Sequence, residues 1–260
     1  MKNARQIFIV MVWVVLLMPS SAGAGHPLIT DDSGTQGMGK SQLEINGQRD
    51  LDKETLAGVQ VKTGAIELAV VLSYGIADSV DLVVGMPYHW NRTKEDGVTT
   101  FSSSGRGDSA FEAKWRFYEK SALSFALKPG IRFPTGDENK GFGPGKTGYS
   151  LYFIASQEVM PWAFHANFGY MRNENRLEEN EDLWHLSFAG TYALTDTLTA
   201  AANIGMERNP DPTSHQEPAF VLGGIIYSMN EDLDLDLGVK YGMSRAEADR
   251  SFLAGAVFRF

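Results

Sequence analysis

Apolar and polar residues alternate with a period of two along almost the whole chain after residue 40. Residues 80–90 carry an apolar side chain at every second position, and residues 233–243 do the same around Asp234, Asp236 and Lys240. An α-helix would distribute those charges around all of its faces, so the alternation predicts β-strands. About twelve such segments follow one another, near residues 40–50, 62–74, 80–90, 107–118, 123–134, 148–157, 162–172, 183–192, 198–208, 218–227, 233–243 and 251–260.

Most of these segments have the length of about 10 residues that a tilted transmembrane strand needs. Short connections alternate with longer polar ones, such as residues 51–61, 91–106 and 135–147. This asymmetry is typical of outer-membrane barrels. The sequence therefore predicts an all-β fold, an antiparallel up-and-down transmembrane β-barrel of about 12 strands. Two segments, 148–157 and 218–227, carry apolar residues at both alternating positions.

The charged residues of the clean segments fall on one face of each strand. A Lys or Arg side chain that faces lipid at the bilayer midplane costs about 2–4 kcal/mol, so we expect the apolar face to contact lipid. A soluble barrel would have the opposite arrangement. The candidate lumen-lining residues are Glu67, Glu112, Lys114, Arg116, Lys128, Arg132, His165, Asn167, His185, Asp234, Asp236 and Lys240.

The N-terminus has the composition of a secretory signal. Basic residues precede an apolar run over residues 7–18, and a small-residue cleavage site follows at 22–24. The run is too short to span a membrane as a helix. We therefore expect residues 1–24 to be a signal peptide, residues 25–39 to form a periplasmic or lumenal segment, and residues 40–260 to form a barrel in the bacterial outer membrane.

Aromatic residues concentrate near the ends of the predicted strands, as they do at the two interfaces of membrane barrels. Trp90 and Phe252 lie near long loops, and Trp162 and Tyr192 lie near short turns. The last segment ends in Phe260, similar to the assembly signal of bacterial outer-membrane barrels. The expected partners are outer-membrane lipid and lipopolysaccharide, the barrel assembly machinery and a small-molecule solute.

The composition argues against several other classes of protein. The chain has no Cys, which excludes a disulfide scaffold and a thiol-ligated metal site. Its net charge of -9 argues against a nucleic-acid partner. The five His residues lack the spacing of a zinc site, and we expect no metal and no cofactor. An acidic stretch is formed by Glu178, Glu179, Glu181 and Asp182. We favour a solvated loop there, and the alternative is a divalent-cation site.

Two motifs raise the question of catalysis. Residues 141–147 end like a phosphate-binding P-loop, but Lys140 occupies the position of the first required Gly. Four polar residues on neighbouring predicted strands form either a lumenal hydrogen-bond network, which we favour, or a hydrolase site. They are His165, Asn167, His185 and Ser187. We therefore expect the protein not to be an enzyme.

One wall of the predicted lumen has an excess of positive charge. Pairing of segments 107–118 and 123–134 brings together Glu112, Lys114, Arg116, Lys128 and Arg132, four cations and one anion. This wall predicts a local positive potential that favours anionic solutes. The alternatives are a salt-bridge network that only closes the barrel, or stacking of aromatic solutes on a lumenal Tyr118.

Several short motifs carry a family resemblance over nearly the whole chain beyond the signal. They are residues 26–37 (HPLITDDSGTQG), 72–76 (LSYGI), 85–88 (GMPY), 114–118 (KWRFY) and 134–138 (PTGDE). In these motifs the chain resembles outer-membrane transporters grouped as the MetA pathway of phenol degradation. The resemblance implies a β-barrel with a transport role and, through the name of the family, aromatic compounds as solutes.

Two classes of function follow. The first is an outer-membrane channel or transporter for small solutes, with aromatic or hydrophobic compounds as candidates. The second is a non-conducting structural barrel or an outer-membrane hydrolase. A barrel of twelve strands lies between the filled barrels of eight and the open porins of sixteen to eighteen, so both classes are consistent with its size.

Overall fold

The computed structural model describes residues 25–56 and 58–260, so the predicted signal peptide lies outside the described residues. A single short 3-10 helix, Glu138–Lys140, is accompanied by thirteen antiparallel strands in this part of the chain. The strands are β1 (Ser41–Leu56), β2 (Val59–Ala77), β3 (Val80–Glu95), β4 (Val98–Arg106), β5 (Ser109–Lys120), β6 (Leu123–Phe133), β7 (Gly148–Val159), β8 (Trp162–Arg172), β9 (Asp182–Ala193), β10 (Leu198–Glu207), β11 (Ala219–Asn230), β12 (Leu233–Gly242) and β13 (Arg250–Arg259).

The strands close into a barrel. Apart from β4 and β5, each strand pairs with its neighbours in the sequence, and β1 completes the ring by pairing with both β2 and β13. Strands β4 and β5 both pair with β3, one after the other, and are separated only by Gly107 and Asp108. They therefore form one interrupted strand of the wall, and the structure confirms the predicted antiparallel barrel of twelve strands.

Two of the predicted long loops are wrong. Strands β1 and β2 remain paired up to Leu56 opposite Val59, and β3 and β4 up to Glu95 opposite Val98. The second hairpin turns at Asp96-Gly97, where both residues have positive φ angles, 45° and 88°. Ladder hydrogen bonds need only backbone groups, so polar strands can continue beyond the apolar belt without an alternating pattern that would reveal them.

The two faces of the wall differ as the alternation predicts. Outward side chains such as Trp115, Phe168 and Leu237 are 50%, 57% and 59% exposed, and they belong to a largely apolar outer surface. Inward side chains such as Lys114 and Asn167 are buried. No helix among the described residues is long and apolar enough to cross a bilayer.

The two strands with apolar residues on both faces, β7 and β11, contribute to an apolar part of the interior. Ile154 of β7 is fully buried. From β11, Phe220 and Leu222 belong to a buried cluster with Leu28, which precedes the barrel, and Leu253 of β13. The mixed pattern in these segments therefore reflects a second, internal contact surface.

Tyr118 was predicted to face the lumen, and the structure contradicts this. The register between β5 and β6 shifts between Arg116 and Tyr118, so Tyr118 pairs with Phe125. Its ring centroid lies 5.5 Å from that of Phe125, which in turn contacts the outward ring of Phe153 at 5.7 Å. The bulge places consecutive positions on faces that strict alternation does not assign to them.

Candidate functional site in the barrel interior

Residues 25–36, called the interior segment below, lie against inward side chains of the wall. Asn203 of β10 accepts hydrogen bonds from the backbone N–H groups of Ile29 and Thr30 at 2.7 Å and 3.1 Å. The Thr30 hydroxyl donates to Ser187 Oγ of β9 at 2.8 Å. Thr30, Ser187 and Asn203 are buried, so these bonds satisfy polar atoms that would otherwise be costly in the interior.

The same segment contacts strands around most of the ring. His26 Nδ1 lies 2.5 Å from Asp236 Oδ1 of β12. At the other end, the Ser33 backbone N–H donates to Ser156 Oγ of β7 at 2.9 Å, and Gln36 N donates to Asp81 of β3. The contacts from β3 to β12 mean that the interior segment crosses the lumen, although it forms no part of the strand ladder.

Asp31 is the charged centre of this arrangement. Its Oδ1 lies 2.7 Å from Lys114 Nζ and its Oδ2 lies 3.0 Å from Lys128 Nζ. Lys128 Nζ is also 3.1 Å from Glu112 Oε2. Asn167 holds the backbone of Asp31 by accepting from its N–H at 2.7 Å and donating to its carbonyl at 2.8 Å. Burial opposes ionisation of the carboxyl, but Lys114 and Lys128 outweigh it and hold the pKa of Asp31 well below its usual range.

Only some side chains of the predicted positive wall therefore contact one another. Lys114, Lys128 and Glu112 meet at Asp31, whereas the two arginines contact other groups. Arg116 pairs with Glu119 at 3.2 Å. Arg132 lies 3.6 Å from Asp108 Oδ2 and donates to Asn173 Oδ1 at 2.6 Å. Each cation of this wall has an acidic partner, and the charge of Asp31 was absent from the sequence-based argument.

The remaining predicted lumenal charges also lie on the inner face, in separate pairs. Glu67 lies 3.4 Å from His89, and Lys240 lies 2.8 Å from Glu247. Asp234 and Arg259 are 2.5 Å apart, and Asp236 contacts the interior segment through His26. All twelve candidate lumen-lining residues thus point inward, while their role in transport stays a prediction.

The two histidines among the four candidate hydrolase residues contact different serines, although Asn167 lies directly opposite Ser187. His165 Nδ1 lies 2.9 Å from Ser156 Oγ, beside Asn167. His185 lies between Ser187 and Glu207, with Nε2 3.0 Å from Ser187 Oγ and Nδ1 3.3 Å from Glu207 Oε2. Ser187, His185 and Glu207 have the order of a Ser-His-Glu triad. Glu207 was not predicted, because nothing in the alternating pattern distinguishes it from other inward carboxylates.

The loop between β6 and β7 covers the other end of the interior. Phe142 is 3% exposed, and its ring stacks on inward His89 with centroids 5.8 Å apart. A Cβ on Gly143 would lie 2.4 Å from Asp108 Oδ1, so a carboxylate occupies the space next to the P-loop-like residues. That neighbour disfavours a phosphate.

Side chains of the acidic stretch after β8 surround the guanidinium group of Arg172. Arg172 forms ion pairs with Glu174 at 2.8 Å, with Asp182 at 3.0 Å and with Glu181. Asn173 donates to Glu179 at 3.0 Å. Within residues 25–56 and 58–260, no group of three or more His, Asp or Glu side chains is placed to hold a metal ion.

An apolar outer belt around a polar, ion-paired interior defines a membrane-spanning β-barrel protein whose lumen holds a segment of its own chain. The chain belongs to the family described as "Putative MetA-pathway of phenol degradation", whose model matches residues 30–260. This confirms the resemblance seen in the sequence motifs. No curated protein sequence matches the chain.

Solved structures share the fold at low sequence identity. The COG4313 outer membrane channel from Pseudomonas putida F1 superimposes with a TM-score of 0.67 at 14% identity, covering 88% of this chain and 98% of that chain. The KdgM porin in complex with disordered oligogalacturonate gives 0.57 at 9%, covering 84% and 99%. The NanC porin gives 0.55 at 12%, covering 83% and 98%.

Proposed function

We propose that this protein is a bacterial outer-membrane channel for small solutes and that the interior segment sets its conductance. The observation that carries the proposal is the attachment of that segment. It contacts the wall through side-chain hydrogen bonds, ion pairs and the apolar packing of Leu28, and in the described part of the chain no ladder hydrogen bond of the barrel depends on it. It can therefore move while the wall stays closed. The similarity in fold to outer-membrane channels and porins supports the location and the class of function.

The charges around Asp31 suggest the class of solute. With the segment in place, Lys114 and Lys128 face the two carboxylates of Asp31 and Glu112. Movement of the segment would remove Asp31 and leave two lysines with one carboxylate. A wall of net positive charge attracts anions, so we propose small organic anions as solutes, with aromatic carboxylates the class most consistent with the name of the family.

Planar-bilayer recordings test this proposal. We expect the full-length chain to conduct weakly and a variant lacking residues 26–36 to conduct several times more, with a reversal potential that indicates anion preference. A variant lacking residues 212–215, in an exposed loop, is the control and should conduct like the full-length chain. If the variant lacking residues 26–36 folds as a barrel but conducts no more than the full-length chain, the channel proposal fails and a structural barrel is favoured.

A hydrolase is the second candidate, because Ser187, His185 and Glu207 have the distances of a triad. Ser187 is 3% exposed and its Oγ accepts the Thr30 hydroxyl, so the interior segment covers the nucleophile. A fluorophosphonate probe tests this candidate. We expect Ser187 to remain unlabelled in the full-length chain and in the variant lacking residues 26–36; labelling that disappears in Ser187→Ala would favour the hydrolase.

A further inference from the structure

Seven basic residues share the outer face of β1, β2, β3, β4 and β13. Strand register defines this face: Arg49 lies opposite the outward residues Ile66 and Phe252, and Arg106 lies opposite Tyr88. Lys94 is partly exposed and the other six are exposed. These residues, called the basic outer surface below, are Arg49, Lys53, Lys62, Arg92, Lys94, Arg106 and Arg250.

Within the described part of the chain, none of these seven side chains forms an ion pair with an acidic residue. The acidic residues of the same strands occupy the alternate positions, which face inward. They are Glu44, Asp50, Asp52, Glu54, Glu67, Asp81 and Glu95. The contrast with Arg172, which contacts three carboxylates on the outer face of β8, shows that the fold can pair outward cations when acidic residues are present.

Three lysines form an unfavourable row. Lys53 lies directly opposite Lys62, and Lys62 lies directly opposite Lys94. Like charges at directly opposed positions of an antiparallel pair destabilise the sheet. The repulsion among the three lysines lowers the stability of the folded chain, and an anionic partner bound at this surface would offset that repulsion.

All of the basic outer surface except Arg106 lies at or beyond an aromatic row on the long-loop side, and Arg106, opposite Tyr88, lies one outward row nearer the apolar belt. Arg49 shares its cross-strand row with Trp90, Ile66 and Phe252, and Arg92 and Arg250 occupy the next row toward the long loops. Trp and Phe rings at this level mark the boundary between hydrocarbon and headgroups. The other six cations therefore lie where the headgroups of the leaflet on the long-loop side are found.

An apolar groove lies next to Arg49 on the same outer face. It has a volume of about 850 Å³, and most of its lining side chains point outward from β1, β2, β11, β12 and β13. Gly47 and Gly223 supply no side chain to it, and a Cβ on Gly223 would meet no atom within 4 Å. The flanking side chains include Leu68, Leu237 and Phe252.

We propose that the basic outer surface and this groove bind a phosphorylated glycolipid of the outer leaflet, the lipid A part of lipopolysaccharide. The cations hold its phosphates, and the groove holds one of its acyl chains. Unpaired Arg and Lys groups above an apolar groove match a ligand with anionic headgroups above hydrocarbon. The inference rests on the proposed outer-membrane location.

Binding of bisphosphorylated lipid A to the purified full-length barrel in detergent micelles tests the proposal. The variant Arg49→Gln/Lys62→Gln/Arg92→Gln should bind about a hundredfold more weakly, because each cation near an anionic surface contributes about fivefold. Gly223→Leu, which fills the groove, should also weaken binding of lipid A. Fully dephosphorylated lipid A should bind weakly to every variant.

The matched control removes three other exposed cations that form no ion pair with any described residue, with the same change in net charge: Lys40→Gln/Lys120→Gln/Lys146→Gln. It should bind like the unmodified chain. Equal binding by both triple variants, or tight binding of dephosphorylated lipid A, would overturn the inference. Displacement by equimolar inorganic phosphate would instead indicate a site for the free anion. Recovery of the protein outside the outer-membrane fraction would overturn the proposed location. Equal binding of bisphosphorylated and dephosphorylated lipid A by an unmodified chain that still conducts would overturn this inference alone.

Discussion

Lys114 Nζ lies 2.7 Å from Asp31 Oδ1, although 83 residues separate the two in the chain. The second carboxylate oxygen of Asp31 contacts Lys128 at 3.0 Å, so one side chain of the interior segment is bound to two adjacent strands. This carboxylate is the principal electrostatic contact between the segment and the wall, and its removal is the most direct test of how the segment is held.

Asp31→Asn should loosen the interior segment without opening the barrel. The change removes the charge that faces both lysines, and hydrogen bonds to charged groups contribute about 2 kcal/mol each. We expect a higher single-channel conductance and a shift toward anion preference. Asp196→Asn, in an exposed turn, is the control and should change neither quantity. Unchanged conductance in Asp31→Asn would mean that the ion pairs do not hold the segment.

Gly238→Ala should also displace the segment, through sterics alone. A Cβ at this position would lie 2.8 Å from Pro27 Cβ, while the nearest atom of the wall, Leu253 Cβ, is 3.6 Å away. Gly223→Ala, on the neighbouring strand, meets no atom within 4 Å and serves as the control. Limited proteolysis of the purified protein should cut within residues 25–36 faster in Gly238→Ala only. Equal rates in the two variants would contradict this packing.

Mild acid should leave the segment in place. The pKa of Asp31 is depressed in the folded protein, so its contribution to stability is fully present above the ordinary Asp value of about 4 and is lost only as pH falls through the depressed value. We expect the conductance to be constant from pH 7 down to about pH 5. An increase between pH 7 and pH 5 that persists in Asp31→Asn would assign the control of the segment to another group.

Leu127→Arg should impair assembly of the barrel. Leu127 points outward, opposite Trp115 and Phe153, which are 50% and 40% exposed, and an Arg facing lipid near the midplane costs about 2–4 kcal/mol. Lys128→Ala, one residue away on the inner face, should fold. The heat-dependent mobility of the folded barrel in gels measures both. Equal yields of folded protein from the two variants would show that the faces are wrongly assigned.

The sequence predicted the wall far better than the interior. Alternation is a local property, so it gave the strand positions, the barrel and the inward direction of residues such as Lys114 and Asp236. It failed where the local rule changes, at the bulge before Tyr118 and in the polar ends of β1 to β4. The contacts of Asp31 are long-range, and no periodic pattern in residues 25–36 indicates which strands they touch.

The ring closure between β1 and β13 imposes an order on biogenesis. His26 and Asp236 are 210 residues apart, and Asp236 belongs to the last hairpin, so their contact requires nearly the entire chain to have been synthesised and inserted. The two lysines that bind Asp31, Lys114 and Lys128, belong to β5 and β6. The lumen around them is closed only when β13 pairs with β1. Contacts of such high sequence separation form late. The contact of His26 with Asp236 should therefore be made only once the last hairpin is in place, so complete docking of the leading segment would accompany completion of the ring.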